Sequence, residues 1–166
     1  MTPFPIVGRI AESWSRMTAA PASMRQQSSR PSRRIEDGQF KMMEAAFGRT
    51  GGCMPQEIVA SHLRHRAVRP STMFADWIAA RAVVSFPWGS HRLVPLFQFH
   101  ANDMSLSQGT ADVVLELVDV FDDWNLALWF AQPNTWLENA APIDVIEHDQ
   151  TAVHAAARAD RYIARG

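Results

Sequence analysis

One sixteen-residue run, residues 122–137, constrains the fold of this chain more than any other segment. Asp122 or Asp123 can cap a helix here, because a carboxylate accepts hydrogen bonds from the unpaired amides of a first turn. Pro133 ends that helix, since proline cannot continue it and disfavours helical angles at the preceding residue. Apolar residues recur between these limits at helical spacing, which predicts one buried face: Trp124, Leu128 and Ala131.

Length and composition favour one domain or a small pair of domains. Of the 166 residues, 47% are hydrophobic, which is enough apolar content for a buried core. The single cysteine, Cys53, excludes an intrachain disulfide and suits a reducing cytoplasm. No apolar run is long enough to span a bilayer, and the first seven residues lack the pattern of a signal peptide. We therefore expect a cytoplasmic protein.

Charge is distributed unevenly along the chain. Residues 1–50 carry eight Lys/Arg and four Asp/Glu, and residues 51–100 carry five and two, so these segments are +4 and +3. Residues 101–166 carry three Lys/Arg and eleven Asp/Glu, which gives −8 and a total of −1. This asymmetry indicates either different partners at the two ends, one of them polyanionic, or attraction between the two halves.

Residues 1–35 are predicted to form a disordered arm. Prolines interrupt it, and Ser, Gln and Arg dominate residues 23–34, so little apolar surface offsets the entropy of ordering. Three arginines there suit unselective contacts with phosphates: Arg30, Arg33 and Arg34. The alternatives are a solvated tail without a partner, or a start codon that is not used, with Met17, Met24 or Met42 as the start instead.

Residues 36–100 are predicted to form a winged helix-turn-helix-like module. Helices are expected over residues 36–47, over 55–66 and from Ser71 or Thr72 to residue 81. Two strands, residues 83–88 and 91–96, follow and are joined by Gly89-Ser90, a pair typical of a type II′ hairpin turn. Because Pro87 and Pro95 each remove a hydrogen-bond donor, both strands are expected at sheet edges.

Residues 101–166 are predicted to form a C-terminal helical domain, which makes the whole chain mainly α with one β-hairpin. A first helix over residues 110–121 is expected to expose its acidic stripe. Pro142 opens a turn of helix through Ile146, and Asp149 caps a last helix over residues 150–164. The last helix is expected to bury Val153, Ala156, Ala157 and Ile163 and to expose His154, Arg158, Arg161 and Arg165.

The residue patterns of enzymes and metal sites are weak in this chain. A set of carboxylates lies on one helix face, but a solvated face explains it better than catalysis: Asp112, Glu116, Asp119, Asp122 and Asp123. His62, His65 and Cys53 lack a fourth zinc ligand at a supportive spacing, and no phosphate-binding loop or nucleophile motif occurs. We therefore expect no enzymatic activity, no metal and no cofactor.

The tryptophans have two interpretations. Trp77, Trp124 and Trp129 lie on apolar helix faces and are predicted to belong to the core. Trp136 follows a turn, where a partly exposed aromatic can anchor a partner protein.

From about residue 97 onward the chain resembles the C-terminal toxin-binding domain of the antitoxin Xre/MbcA/ParS family. The resemblance is carried by Trp124 and Trp129-Phe130, then Pro133-Asn134, Leu137 and Pro142, and by a final alanine-rich helix that ends near Arg161 to Gly166. Members commonly place a glycine after this leucine. This chain has Glu138-Asn139-Ala140-Ala141 instead, and Asn139 can adopt the left-handed conformation that a glycine would supply.

The resemblance implies a partnership with a toxin. Such antitoxins pair with RES-type toxins that consume NAD, or with related ADP-ribosylating toxins. Their C-terminal domain covers the entrance of the toxin's active site, their N-terminal helix-turn-helix binds operator DNA, and they are usually homodimers. The partner-binding residues expected here are Trp136, Asn134, Arg158, Arg161 and Arg165, and the DNA-binding residues expected are Arg64, Arg66, Arg69, Ser71 and Thr72.

Two other function classes stay open. One is a stand-alone DNA-binding transcriptional regulator whose helical half only dimerises. Against it, the presumed recognition helix has few side chains that read base edges, and Asp76 would repel phosphate. The other is a small enzyme that uses the acidic set.

Overall fold

The computed structural model describes residues 31–66 and 72–166, and within them the side chains of residues 31, 32, 65, 66 and 72 are left aside. Most of the predicted arm, residues 1–30, and the turn predicted between the second and third helices, residues 67–71, lie outside the described residues. The described chain is mainly helical with one small antiparallel sheet. None of its described helices is long and apolar enough to cross a membrane.

The elements follow the predicted order, with one addition. The helices are α1 (Pro31–Gly48), α2 (Gln56–Arg66), α3 (Thr72–Ala79), α4 (Gln108–Leu117), α5 (Asp123–Ala131), α6 (Pro142–Val145) and α7 (Gln150–Arg165). The strands are β1 (Cys53–Pro55), β2 (Phe86–Trp88) and β3 (His91–Pro95), and two 3-10 turns span Leu96–Gln98 and Thr135–Leu137.

Local end signals explain most of the helix boundaries. Asp122 accepts a hydrogen bond from the amide of Asn125, and Asp149 accepts one from Ala152, so both predicted caps are confirmed. Helix α5 ends before Pro133, as predicted. Helix α1 begins at Pro31, earlier than the predicted residue 36, because proline is well tolerated in a first helical turn.

Helix α3 ends at Ala79, before the predicted residue 81, in a Schellman motif. The amide of Ala82 donates to the carbonyl of Trp77, and the amide of Arg81 donates to Ile78. Arg81 has the left-handed conformation, with φ 52°, at the position where glycine is usual. Its side chain makes the long-range contacts described below, which offset this cost.

The sheet has the order β1-β3-β2 and was only partly predicted. The hairpin is confirmed: Trp88 pairs with His91 across the two-residue loop, and Gly89 has φ 60°. Strand β1 was missed because three residues carry no alternating pattern. It pairs with β3, so β3 is central and the predicted edge position of Pro95 is wrong. Pro95 is tolerated because it is the last residue of β3, and the next amide, that of Leu96, donates to Gly52.

The larger apolar core is continuous across residue 100. Helix α5 is buried on all sides from Leu126 to Ala131, so the expectation of a single buried face is wrong. Trp124 packs against the ring of Trp88 at 5.8 Å, and Trp88 stacks on Phe40 of α1 at 3.9 Å. Aromatic contacts therefore join α1, the hairpin and α5. A smaller core lies between α2, α3 and β3 and contains Val59, Leu63, Phe74 and Val94.

A fully buried amide, that of Gln98, holds the segment before β2. Its Oε1 accepts from the amide of Val84 at 2.8 Å, and its Nε2 donates to the carbonyls of Val84 and Pro95. The side chain therefore acts as a strand partner for Val84 and satisfies backbone groups that would otherwise be buried without bonds.

Replacing this amide should destabilise the protein. We expect Gln98→Ala to lower the free energy of unfolding by about 3 kcal/mol, because three backbone groups lose a hydrogen bond from or to this side chain and a cavity forms. Urea unfolding measures the change. Gln108→Ala is the matched control: Gln108 is exposed, and its side chain bonds to the exposed Asp112, so a change of about 0.5 kcal/mol or less is expected. Equal effects of the two variants would contradict the assigned role of Gln98.

An ionic cluster, Arg81–Asp123–Arg92, joins the N-terminal elements to α5. Arg81 Nε and Arg92 Nη1 each lie 2.7 Å from a different oxygen of Asp123. Arg81 also donates to the carbonyls of Val118 and Phe121, which follow α4. Burial by itself would raise the pKa of Asp123, but the hydrogen bonds from Arg92 and Arg81 outweigh it and hold that pKa below its ordinary value. Asp123 was predicted to lie on a solvated face, and that prediction is wrong.

The lowered pKa of Asp123 predicts acid sensitivity. The pKa is lower in the folded than in the unfolded chain, so the carboxylate stabilises the fold fully above its ordinary pKa. This stabilisation is lost as the pH falls through the folded pKa, below about pH 4. We expect Asp123→Asn to lower stability at pH 7 by about 2 kcal/mol and to flatten the loss below pH 4. Thermal unfolding against pH tests this, with the exposed Asp76→Asn as the control that keeps the parent profile.

Candidate partner-binding site

Residues 132–140, here called the tryptophan loop, are folded around one backbone group. The carbonyl of Asn134 accepts hydrogen bonds from the amides of Leu137 and Asn139, both at 3.0 Å. The amide of Asn134 donates to Ala140, and its side-chain Oδ1 accepts from the amide of Trp136 at 2.9 Å. Internal bonds therefore fix the path of the loop, and Asn134 itself is buried.

Two successive residues of the loop have the left-handed conformation. Asn139 has φ 65°, which confirms the expectation from the sequence, and Glu138 has φ 55°, which the sequence did not predict. A glutamate in this region is uncommon, since its Cβ approaches its own backbone. The side chain of Glu138, two residues after Trp136 in the chain, is exposed.

The carboxylate of Asp160 on α7 anchors the loop to the core. Its Oδ2 accepts from the indole Nε1 of Trp129 and from Nδ2 of Asn134, both at 2.7 Å, and its Oδ1 accepts from Nε1 of Trp136 at 2.9 Å. Trp129 is 3% exposed and Trp136 is 56% exposed. One carboxylate therefore binds a core indole and a surface indole together.

Asp160 was not among the predicted site residues. A signal for it existed: it follows Val153, Ala156 and Ala157 at helical spacing, so an acidic residue lies on the stripe that α7 buries. A polar side chain on such a stripe requires hydrogen-bond partners. The identity of the partners depended on how the loop packs on α7.

Helices α4 and α7 lie side by side in parallel, and their charges pair. Arg161 contacts Glu116 at 2.6 Å, His154 approaches the other oxygen of Glu116 at 3.5 Å, and Arg165 lies 3.6 Å from Asp119. Glu116 was predicted to be solvated, but it is partly buried in this seam. Arg161 and Arg165 were predicted to bind a partner and are here engaged within the chain, whereas Arg158 is exposed.

The end of α7 is exposed, including two large apolar residues. Ile163 was predicted to be buried but is 63% exposed, and Tyr162 is 82% exposed. Residues 162–166 are all exposed, which shows that the last turn extends past the core. This last turn of α7 directly follows the helical turn that contains Asp160.

The predicted DNA-binding residues are only partly described. Arg64 is exposed near the end of α2, whereas the side chains of Arg66, Arg69, Ser71 and Thr72 fall outside the described part. Helices α2 and α3 contact each other, and the hairpin follows them in the chain. The exposed side chains of α3 include Ala75, Asp76 and Ala79, which offer no donor to a phosphate or a base edge.

Within residues 31–66 and 72–166, no group of three or more His, Cys, Asp or Glu side chains is arranged to hold a metal ion. Burial, with a smaller contribution from the charge of Glu44, raises the pKa of the Cys53 thiol far above its ordinary range. This thiol is therefore protonated at neutral pH and is a poor nucleophile.

Comparisons with protein-family models, with curated proteins and with solved structures find no significant match to this chain.

The role of Asp160 can be tested by removing its carboxylate. We expect Asp160→Ala to lower the free energy of unfolding by about 3 kcal/mol, because three donors lose their acceptor and the buried Trp129 and Asn134 are left unsatisfied. Denaturant unfolding measures the change. Asp76→Ala, on the exposed side of α3, is the matched control with an expected change of about 0.5 kcal/mol or less. A similar small change for Asp160→Ala would contradict the anchoring role.

Proposed function

We propose that this chain is an antitoxin-like protein that binds a RES-type, NAD-consuming toxin through its C-terminal helices and covers the toxin's active site. The observation that carries the proposal is Trp136, an indole that is 56% exposed and yet fixed by hydrogen bonds at its ring NH and at its backbone amide. Tryptophans of this kind dominate the energetics of many protein interfaces, and one that is already ordered loses less entropy on binding.

The residues that carry the family resemblance support this loop. Trp129 and Asn134 both donate to Asp160, Leu137 is the buried last residue of the 3-10 turn, and Pro142 opens α6 shortly after the loop. The residues that carry the resemblance therefore contribute to one structural role, which is to hold Trp136 at the surface. Neutralisation by steric cover requires no catalytic group in this chain.

A stand-alone DNA-binding regulator is the second candidate, favoured by the contact between α2 and α3 and by the hairpin that follows. Two of the five basic residues in segment 51–100, Arg81 and Arg92, are paired with Asp123 and so contribute less to phosphate binding. The exposed side of α3 carries Asp76. We therefore rank operator binding below toxin binding, and both can occur in one protein.

The test begins with the tagged full-length chain expressed in its native host. Captured proteins are identified by mass spectrometry, purified and assayed for NAD consumption with and without this chain. We expect a stoichiometric partner whose NAD consumption stops on complex formation. Trp136→Ala should raise the dissociation constant about thirtyfold, equivalent to about 2 kcal/mol.

Leu115→Ala is the matched control, because Leu115 is as exposed as Trp136, at 57%, but belongs to α4 and not to the tryptophan loop. We expect this variant to change the dissociation constant less than about threefold. A partner that does not consume NAD, or equal effects of the two variants, would overturn the proposal. Retention of the chain's own promoter DNA without any protein partner would establish the regulator instead.

A further inference from the structure

We infer that the tryptophan loop receives an arginine side chain of the partner protein, stacked on the Trp136 ring and paired with the carboxylates beside it. Only the identity of the partner rests on the proposed function. The preference for arginine follows from the chemistry of the loop and of α7, and it can be tested on this chain alone.

The exposed part of Trp136 is suited to a cation. Its one polar atom, Nε1, is already bonded to Asp160, so the surface left for a partner is the aromatic ring. Tryptophan attracts cations over its ring face more strongly than tyrosine or phenylalanine does. The hydrogen bond fixes the ring, so a stacking partner meets one orientation.

One carboxylate, that of Asp160, bonds the edge of this ring, and a second, that of Glu138, follows two residues later in the same loop. Glu138, two residues after Trp136, is exposed and makes no ion pair within the described residues. Asp160 lies at the indole edge and accepts three hydrogen bonds, whereas a carboxylate can accept about four. The loop itself, residues 132–140, contains no Lys, Arg or His. A cation over the ring would therefore meet carboxylates without competing positive charge in the loop.

The basic residues of α7 face a different side of that helix. His154, Arg161 and Arg165 contact carboxylates of α4, and Arg158 shares their stripe because the four residues recur at spacings of four, three and four. Asp160 lies roughly a third of a turn away from that stripe. Two of the three arginines in residues 101–166 are thus already paired with carboxylates of α4. The negative charges of Glu138 and Asp160 therefore stay available to a cation of the partner.

The surroundings favour arginine over lysine and over a nucleic acid. Ile163, 63% exposed, lies one turn after Asp160 and offers apolar surface to an alkyl stem. A guanidinium is planar and weakly hydrated, so it can stack on an indole and bond to a carboxylate at once, whereas an ammonium is held more tightly by water. Phosphates would be repelled by Glu138 and Asp160.

The experiment follows the indole NH resonance of Trp136 by nuclear magnetic resonance in the full-length chain. The Trp136→Phe variant removes this resonance and so assigns it. The probes are N-acetyl-arginine methylamide and N-acetyl-lysine methylamide, titrated at equal ionic strength. We expect a saturable shift of the Trp136 resonance that is at least about threefold larger with the arginine probe. The Trp124 indole, bonded to Gln39, is the internal reference and should not shift.

Matched charge variants localise the effect. Glu138→Gln should weaken binding of the arginine probe about threefold, whereas Glu147→Gln, which removes the same charge at another exposed position, should leave it unchanged. Equal shifts with both probes, an equal shift of Trp124, or no effect of Glu138→Gln would each overturn the inference.

The two proposals fail separately. If the arginine probe binds but no NAD-consuming partner is captured, the arginine site stands and the toxin proposal fails. If a toxin is captured and inhibited but the arginine probe causes no selective shift, the arginine inference fails and the proposed function stands.

Discussion

Helix α5 is the element on which the rest of the structure depends, because it is buried on every side. From Leu126 to Ala131 none of its residues is exposed, so other elements must cover all of its faces. Helix α1, the hairpin and the C-terminal helices supply that cover. Burial of one apolar helix therefore draws both predicted halves of the chain into a common core, although the sequence suggested a boundary near residue 100.

At each end of α5, a carboxylate accepts hydrogen bonds from several donors. Asp123, at the start of α5, takes hydrogen bonds from Arg81 and Arg92. Asp160 binds Trp129, near the end of α5, together with Asn134 and Trp136 of the tryptophan loop. Charged acceptors form stronger hydrogen bonds than neutral ones, and each carboxylate can accept from several donors. Asp123 therefore fixes the N-terminal elements at the start of α5, and Asp160 fixes the tryptophan loop near its end.

Ion pairs neutralise part of the negative charge of residues 101–166. Arg49 pairs with Asp144, Arg161 with Glu116, and the Asp123 cluster uses two arginines from the N-terminal half. The pairs of Arg49, Arg81 and Arg92 join residues 1–100 to residues 101–166, and they support the interpretation that the halves attract one another. Glu138, within the tryptophan loop, stays exposed, and a basic partner is therefore expected at this position. General electrostatic attraction between this chain and its partner is a weaker explanation for binding, because exposed charges are screened by salt.

The local features could be predicted from residue types and their spacing: the caps at Asp122 and Asp149, the end of α5 before Pro133, the hairpin turn, and the left-handed Asn139. These depend on groups a few residues apart, so residue type and spacing are sufficient to predict them. Three kinds of feature depended on tertiary packing and could not be predicted from the sequence. They are the hydrogen-bond partners of Asp123, Asp160 and Gln98, the pairing of β1 with β3, and the exposure of Ile163. Asp160 bonds to donors 24 to 31 residues away and Asp123 to one 42 residues away. Such contacts form only when packing brings distant segments together, and local patterns in the sequence do not predict which segments come into contact.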